Sequence, residues 1–154
     1  MAAPTMSYLI CSMALVVLIA VMPAFYSLQV NQITARTMES ELSEIADYTS
    51  NTLANLCYLV NSTNYASSNI TKQLLYLPLT VQNSFYNISI VSNASNAVKV
   101  TATMIDNPSI SSDSWLVPGL KIGGTSSVVS SSTSVVAGCY RNGTGCYIWL
   151  GVQK

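Results

Sequence analysis

Hydrophobic positions along this chain fall into three successive patterns. Residues 8–25 run almost unbroken through apolar side chains, including Leu9, Ile10, Met13, Leu15, Val16, Val17, Leu18, Ile19, Val21, Met22 and Phe25. That length matches the hydrocarbon core of a bilayer. From Met38 the apolar residues thin to a single stripe, Met38, Leu42, Ile45, Leu53, Leu56 and Val60, at a period of about 3.6, with Glu44 and Asp47 on the far side. Beyond about residue 70 the period changes to 2: Tyr86, Ile88 and Ile90 alternate with Asn87 and Ser89, and Val98, Val100, Ala102 and Met104 alternate with Lys99, Thr101 and Thr103.

The first two patterns belong to one helix. No glycine precedes Gly119, and Pro4 and Pro23 are the only prolines before Pro78, so nothing forces a stop before residues 61–69. A helix from about residue 5 to about residue 60 is roughly 80 Å long at about 1.5 Å per residue. Pro23 is expected to kink it, because its ring clashes with the carbonyl four residues back and its nitrogen donates no hydrogen bond. Residues 1–62 are therefore read as an N-terminal helix whose amphipathic upper half packs on the head, and residues 63–154 as the β-rich head. A secretory signal peptide is the alternative for residues 8–25, but it requires a basic start, a shorter apolar stretch and a small-residue cleavage site, none of which is clear here. The helix carries more apolar surface than such a head can cover. Lipid covers the remainder in a membrane; outside it, copies of the same segment from neighbouring subunits must do so.

Further strands are expected at 73–77, 115–122, 127–136 and 146–152, with residues 93–96 as a hairpin connection. Tyr147-Ile148-Trp149-Leu150 shows no polar alternation, which fits a central strand covered on both faces. The expected fold class is α+β, a long hydrophobic N-terminal helix followed by a small antiparallel β-sandwich, Ig-like, curled around the upper helix, whose sparse core Leu53, Leu56 and Val60 supplement.

Composition removes several function classes. With 154 residues, 50% hydrophobic and 8% charged, the chain departs from an ordinary cytosolic balance. Six basic and six acidic residues cancel, so no basic field exists for nucleic acid. The first charged side chain is Arg36, and histidine is absent. An enzyme would lack the commonest general base and the usual triad, and Asp113-Ser114 reads as a solvated turn. No catalytic residue, cofactor or metal is assigned. Glu39, Glu41, Glu44 and Asp47 are scattered around the helix, as a solvated face would be.

Cys139 and Cys146 flank a stretch containing Asn142-Gly143 and Gly145, where a tight reversal is expected to bring the two within bridging distance; a disulfide there implies an oxidising compartment. Cys11 and Cys57 are read as free, Cys11 buried in the apolar helix and Cys57 near the edge of the stripe. Acceptor triplets for N-linked sugar begin at Asn61, Asn69, Asn87, Asn93 and Asn142. Twelve asparagines in so Ser/Thr-rich a chain produce about three such triplets by chance, so position counts for more than number: Asn87 faces outward and the others lie at expected turns.

Together, the apolar helix with Pro23, the amphipathic continuation to Cys57-Tyr58-Leu59-Val60, the Leu77-Pro78-Leu79 lead-in to the head and the Ser/Thr/Asn-rich β domain resemble an archaeal type IV pilin. The resemblance implies membrane insertion, trimming by a prepilin peptidase, and polymerisation by an ATPase and a platform protein into a helical homopolymer, usually for adhesion. Bacterial type IV pilins carry a glutamate near the mature start; none occurs here, which favours the archaeal branch. No basic leader precedes the apolar stretch, so either Met1 is already the mature start or the chain is not processed in the family way. The expected function is that of a major pilin, its polymerisation core comprising Leu9, Met13, Val16, Val17, Leu18, Ile19, Val21, Met22, Pro23 and Phe25. The alternatives are a membrane-anchored minor pilin or extracytoplasmic binding module, and an archaellum-type filament subunit.

Overall fold

The computed structural model describes residues 3–62, 68–93, 97–132, 134–143 and 145–153. Helix α1 spans Ala3–Ser62 and continues through Pro23. Eight strands follow: β1 (Asn69–Gln73), β2 (Tyr86–Ser92), β3 (Val98–Met104), β4 (Ser111–Trp115), β5 (Leu120–Ile122), β6 (Ser127–Val129), β7 (Val135–Asn142) and β8 (Gly145–Val152). The chain divides into two compact units, Met1–Thr37 and Met38–Lys154, so the upper part of α1 belongs with the strands.

The second unit is α+β, with the upper helix packed against two four-stranded sheets, in the orders β1-β7-β8-β5 and β4-β3-β2-β6. The period-2 segments pair as expected: Ile88 lies opposite Ala102 and Ile90 opposite Val100. Their inward residues join Val128, Ala137, Cys139, Ile148 and Leu150 from the remaining strands in one core. Leu42, Ile45, Leu53, Leu56 and Val60 of the helical stripe enter the same core, with Leu42, Leu53 and Val60 fully buried. Two buried hydroxyls of the helix find carbonyl partners, one local and one distant: Thr49 Oγ1 donates to the Ile45 carbonyl at 2.9 Å, and Ser50 Oγ to the Trp115 carbonyl of β4 at 3.2 Å.

Several strand boundaries differ from the sequence expectation. The expected strand at 73–77 is displaced to β1, an edge strand so exposed that it has no alternation to read. The expected strand at 115–122 is two, broken where Pro118 offers no N–H and Gly119 adopts φ +92°. The expected strand at 127–136 divides between β6 and β7, which lie in different sheets; Thr133 and residues 94–96 of the expected connection are outside the described residues. Residues 137–142 of β7 lie beyond any expected strand. One pair also departs from an antiparallel plan: β5 runs parallel to β8. β8 is central in its sheet, but its outer face is only half covered: Tyr147 stacks on Tyr140 with centroids 5.1 Å apart, and Trp149 lies opposite Gly138.

Candidate functional site

Unit Met1–Thr37 carries the expected polymerisation core. Leu9, Met13, Val16, Val17, Leu18, Ile19, Val21, Met22 and Phe25 are all exposed, between 55% and 67%, and Pro23 lies inside the helix among them. Exposure extends around the whole circumference, through Ile10, Leu15, Tyr26, Leu28 and Ile33. A helix that is apolar on every side needs an apolar surrounding on every side. An 18-residue window reaches a mean hydropathy of 2.4 with none of it buried, enough by length and composition to cross a membrane.

Four hydroxyls in this unit are bonded within their own helix. Ser12 Oγ donates to the Leu9 carbonyl at 3.0 Å, Ser27 Oγ to Ala24 at 2.9 Å, Thr34 Oγ1 to Val30 at 2.9 Å and Thr37 Oγ1 to Ile33 at 2.9 Å. Each hydroxyl thus spends its proton on its own helix, which lowers the cost of removing it from water. Pro23 removes one donor from the same ladder.

The cysteines are arranged differently from the sequence expectation. No disulfide joins Cys139 and Cys146. The reversal is tight as expected, with Gly143 at φ +60°, but it pairs Asn142 with Gly145. That register sets Cys146 opposite Arg141 and Cys139 opposite Ile148, so the two cysteines are diagonal neighbours rather than partners. Cys139 instead touches Cys57 of α1, with Sγ atoms 3.0 Å apart, and Cys146 Sγ donates to Asn61 Oδ1 at 3.0 Å. The contact with Cys139 and burial both raise the Cys57 thiol pKa, whereas hydrogen bonding from Cys57 lowers that of Cys139 against the effect of its burial. Burial, chiefly, raises Cys146. Cys11 is exposed on the apolar segment rather than buried within the chain. The Cys57 contact escaped sequence reasoning; the signal available was its place beside Leu56 and Val60 on the buried stripe.

The sugar-acceptor asparagines are distributed over the second unit. Asn69, Asn93 and Asn142 are exposed, and Asn142 ends β7 at the hairpin tip. Asn87 is half-buried on the outward face of β2, its Oδ1 accepting from Ser127 Oγ at 2.8 Å. Asn61 is exposed in the last turn of α1 rather than in a turn after it. Thr63, Ala94, Ser95 and Thr144 of these triplets are outside the described residues.

The remaining candidates have structural roles. Asp113 lies on β4 rather than in a turn; its carboxylate accepts from Lys99 Nζ at 2.5 Å and from Thr101 Oγ1 at 2.6 Å, and these bonds hold its pKa below the usual carboxylate range. Of the acidic helix residues, Glu41 accepts from Gln82 Nε2 at 3.1 Å, and Glu44 and Asp47 point to solvent. A long apolar N-terminal helix followed by β-sheets is a pilin-like architecture. No protein-family model, curated protein or solved structure matches the chain.

Proposed function

We propose that this chain is the major structural subunit of an extracellular type IV pilus of the archaeal kind, inserted in the membrane before assembly and polymerised afterwards through residues 8–25 for adhesion to surfaces. The observation that carries this reading is the all-round exposure of Leu9 to Phe25 in a segment with no charged residue before Arg36. Lipid satisfies that surface in the membrane, and a bundle of the same segment from other copies satisfies it in the filament. The segment's self-bonded hydroxyls suit both environments. Many copies of the chain are its principal partners; a prepilin peptidase, an assembly ATPase and a platform protein supply processing and export. Its role is structural rather than catalytic. Asn61, Asn69, Asn87, Asn93 and Asn142 are its candidate glycan sites on the outer domain.

Shearing cells and imaging the supernatant tests the reading: filaments containing this chain are expected. Leu18→Asp is expected to abolish them, since an Asp at the centre of an apolar segment costs about 3 kcal/mol per subunit. Filaments of normal yield from that variant, or a chain that stays entirely in the membrane fraction of piliated cells, would overturn the proposal.

A further inference from the structure

Three of the four cysteines converge in the second unit: Cys57 on α1, Cys139 on β7 and Cys146 on β8. Cys57 and Cys139 are in direct contact, their Sγ atoms 3.0 Å apart, and both are buried. Two thiolates sharing a tetrahedral metal at about 2.3 Å lie about 3.8 Å apart, so this contact is tighter than a shared ion would leave. It is about 1 Å longer than a sulfur–sulfur bond, and no backbone element intervenes. Cys146 also neighbours Cys139, but its thiol proton is committed to Asn61 Oδ1 at 3.0 Å, whereas Cys57 and Cys139 meet sulfur to sulfur.

We propose that Cys57 and Cys139 form a disulfide in the exported protein, fastening helix α1 to strand β7, while Cys146 is retained as a thiol on Asn61. The oxidant is an external disulfide, protein-borne or of low molecular weight. One thiolate of the pair attacks it, giving a mixed disulfide and one released thiol. The second thiolate then displaces the carrier sulfur, so two electrons and two protons pass from Cys57 and Cys139 to the carrier, which leaves as two thiols. Cys57 and Cys146 line a cavity of about 300 Å³ with Ala54, Tyr58, Asn61 and Leu120, whereas Cys139 is fully buried. Cys57 is therefore the sulfur that a carrier reaches, and Cys139 the one that resolves. The link joins residues 82 positions apart, unlike the short hairpin loop between Cys139 and Cys146. The pairing rests on geometry alone, whereas the oxidising compartment rests on the extracellular location proposed above.

The test uses the full-length Cys11→Ser chain in detergent, which removes the exposed thiol. The protein is incubated with oxidised glutathione, alkylated with N-ethylmaleimide after denaturation, and digested without reduction for mass spectrometry. The expected product is a peptide pair joined through Cys57 and Cys139, two hydrogens lighter than the sum, with Cys146 alkylated. Cys146→Ser keeps the link and Cys139→Ser loses it. A Cys139–Cys146 peptide, a lasting glutathione adduct on Cys57, or full alkylation at both Cys57 and Cys139 overturns the proposal. Protein taken directly from cells under alkylating conditions separates the two proposals: the link in a chain that never forms filaments refutes the pilus and keeps the disulfide, whereas filaments with free thiols at both positions refute the disulfide and keep the pilus.

Discussion

Two leucines on the same helix, given the same substitution, should behave in opposite ways. Leu53 is fully buried in the core shared by the upper helix and the sheets, whereas Leu18 belongs to unit Met1–Thr37 and is 57% exposed. Leu53→Ala removes a core side chain whose surroundings are fixed on one side by an α-helix and on the other by strands, so collapse around the void is limited and the expected loss is about 2–5 kcal/mol. At about 2 cal/mol/K per residue of unfolding entropy, a unit the size of Met38–Lys154 melts about 4 °C lower for each kcal/mol, hence about 8–20 °C lower in total. Leu18→Ala leaves that core intact and should move the same transition by less than about 0.5 kcal/mol. Both tryptophans, Trp115 and Trp149, lie in the second unit, so a fluorescence-detected melt of the detergent-solubilised chain reports that unit without contribution from residues 1–37. Comparable shifts for the two variants would refute the division into an independently stable head and an unpartnered segment.

Other perturbations address single contacts. Tyr86→Phe removes the hydroxyl that donates to the Pro78 carbonyl at 2.5 Å; a loss of about 1–2 kcal/mol is expected, with faster hydrogen exchange confined to residues 74–81, and an unchanged exchange map would dismiss the contact. Gly138→Ala places a methyl group against the Trp149 indole, 2.5 Å from Cζ2 and closer still to Cε2 and Nε1; the ring must swing outward, at about 1–3 kcal/mol, and red-shifted emission reports it. Stability should be flat from about pH 8 to pH 5, since the chain has no histidine. Asp113, whose folded pKa is depressed by Lys99 and Thr101, stabilises above its ordinary value near 4 and loses that contribution as the pH falls through its lower folded value. Because the Lys99–Asp113 pair is partly exposed, at 26% and 39%, the acid loss is small; a steep fall in melting temperature between pH 7 and pH 5 would contradict this account.

The parts of the fold legible in the sequence are those where one residue faces one environment. The stripe from Leu42 to Val60 and the alternation in β2 and β3 announce themselves because buried and exposed positions repeat at the period of the element. β7 conceals itself: Val135 to Cys139 are all buried and Gly138 interrupts the apolar run, so neither alternation nor a β-branched block remains. β1 fails in the opposite way, being exposed at nearly every position. The apolar segment was legible because it requires no knowledge of tertiary neighbours. The cysteine arrangement was not: a seven-residue separation invites a hairpin bridge, yet the ladder register decides which residues face each other, and the neighbour of Cys139 is set by where α1 crosses β7.

The sheet order also constrains how the head is made. In β1-β7-β8-β5 the two outer strands, β1 and β5, precede the two inner ones in the chain and do not pair with each other. Neither can begin a ladder until residues 135–152 have been delivered, whereas β2, β3, β4 and β6 form their own sheet from residues 86–129. A chain emerging N-terminus first therefore commits residues 8–25 to their apolar surroundings well before the β7–β8 hairpin closes the second sheet over Cys57 and Val60. Until then the upper helix lacks part of its cover, and the head is completed only after the apolar segment that precedes it has been made.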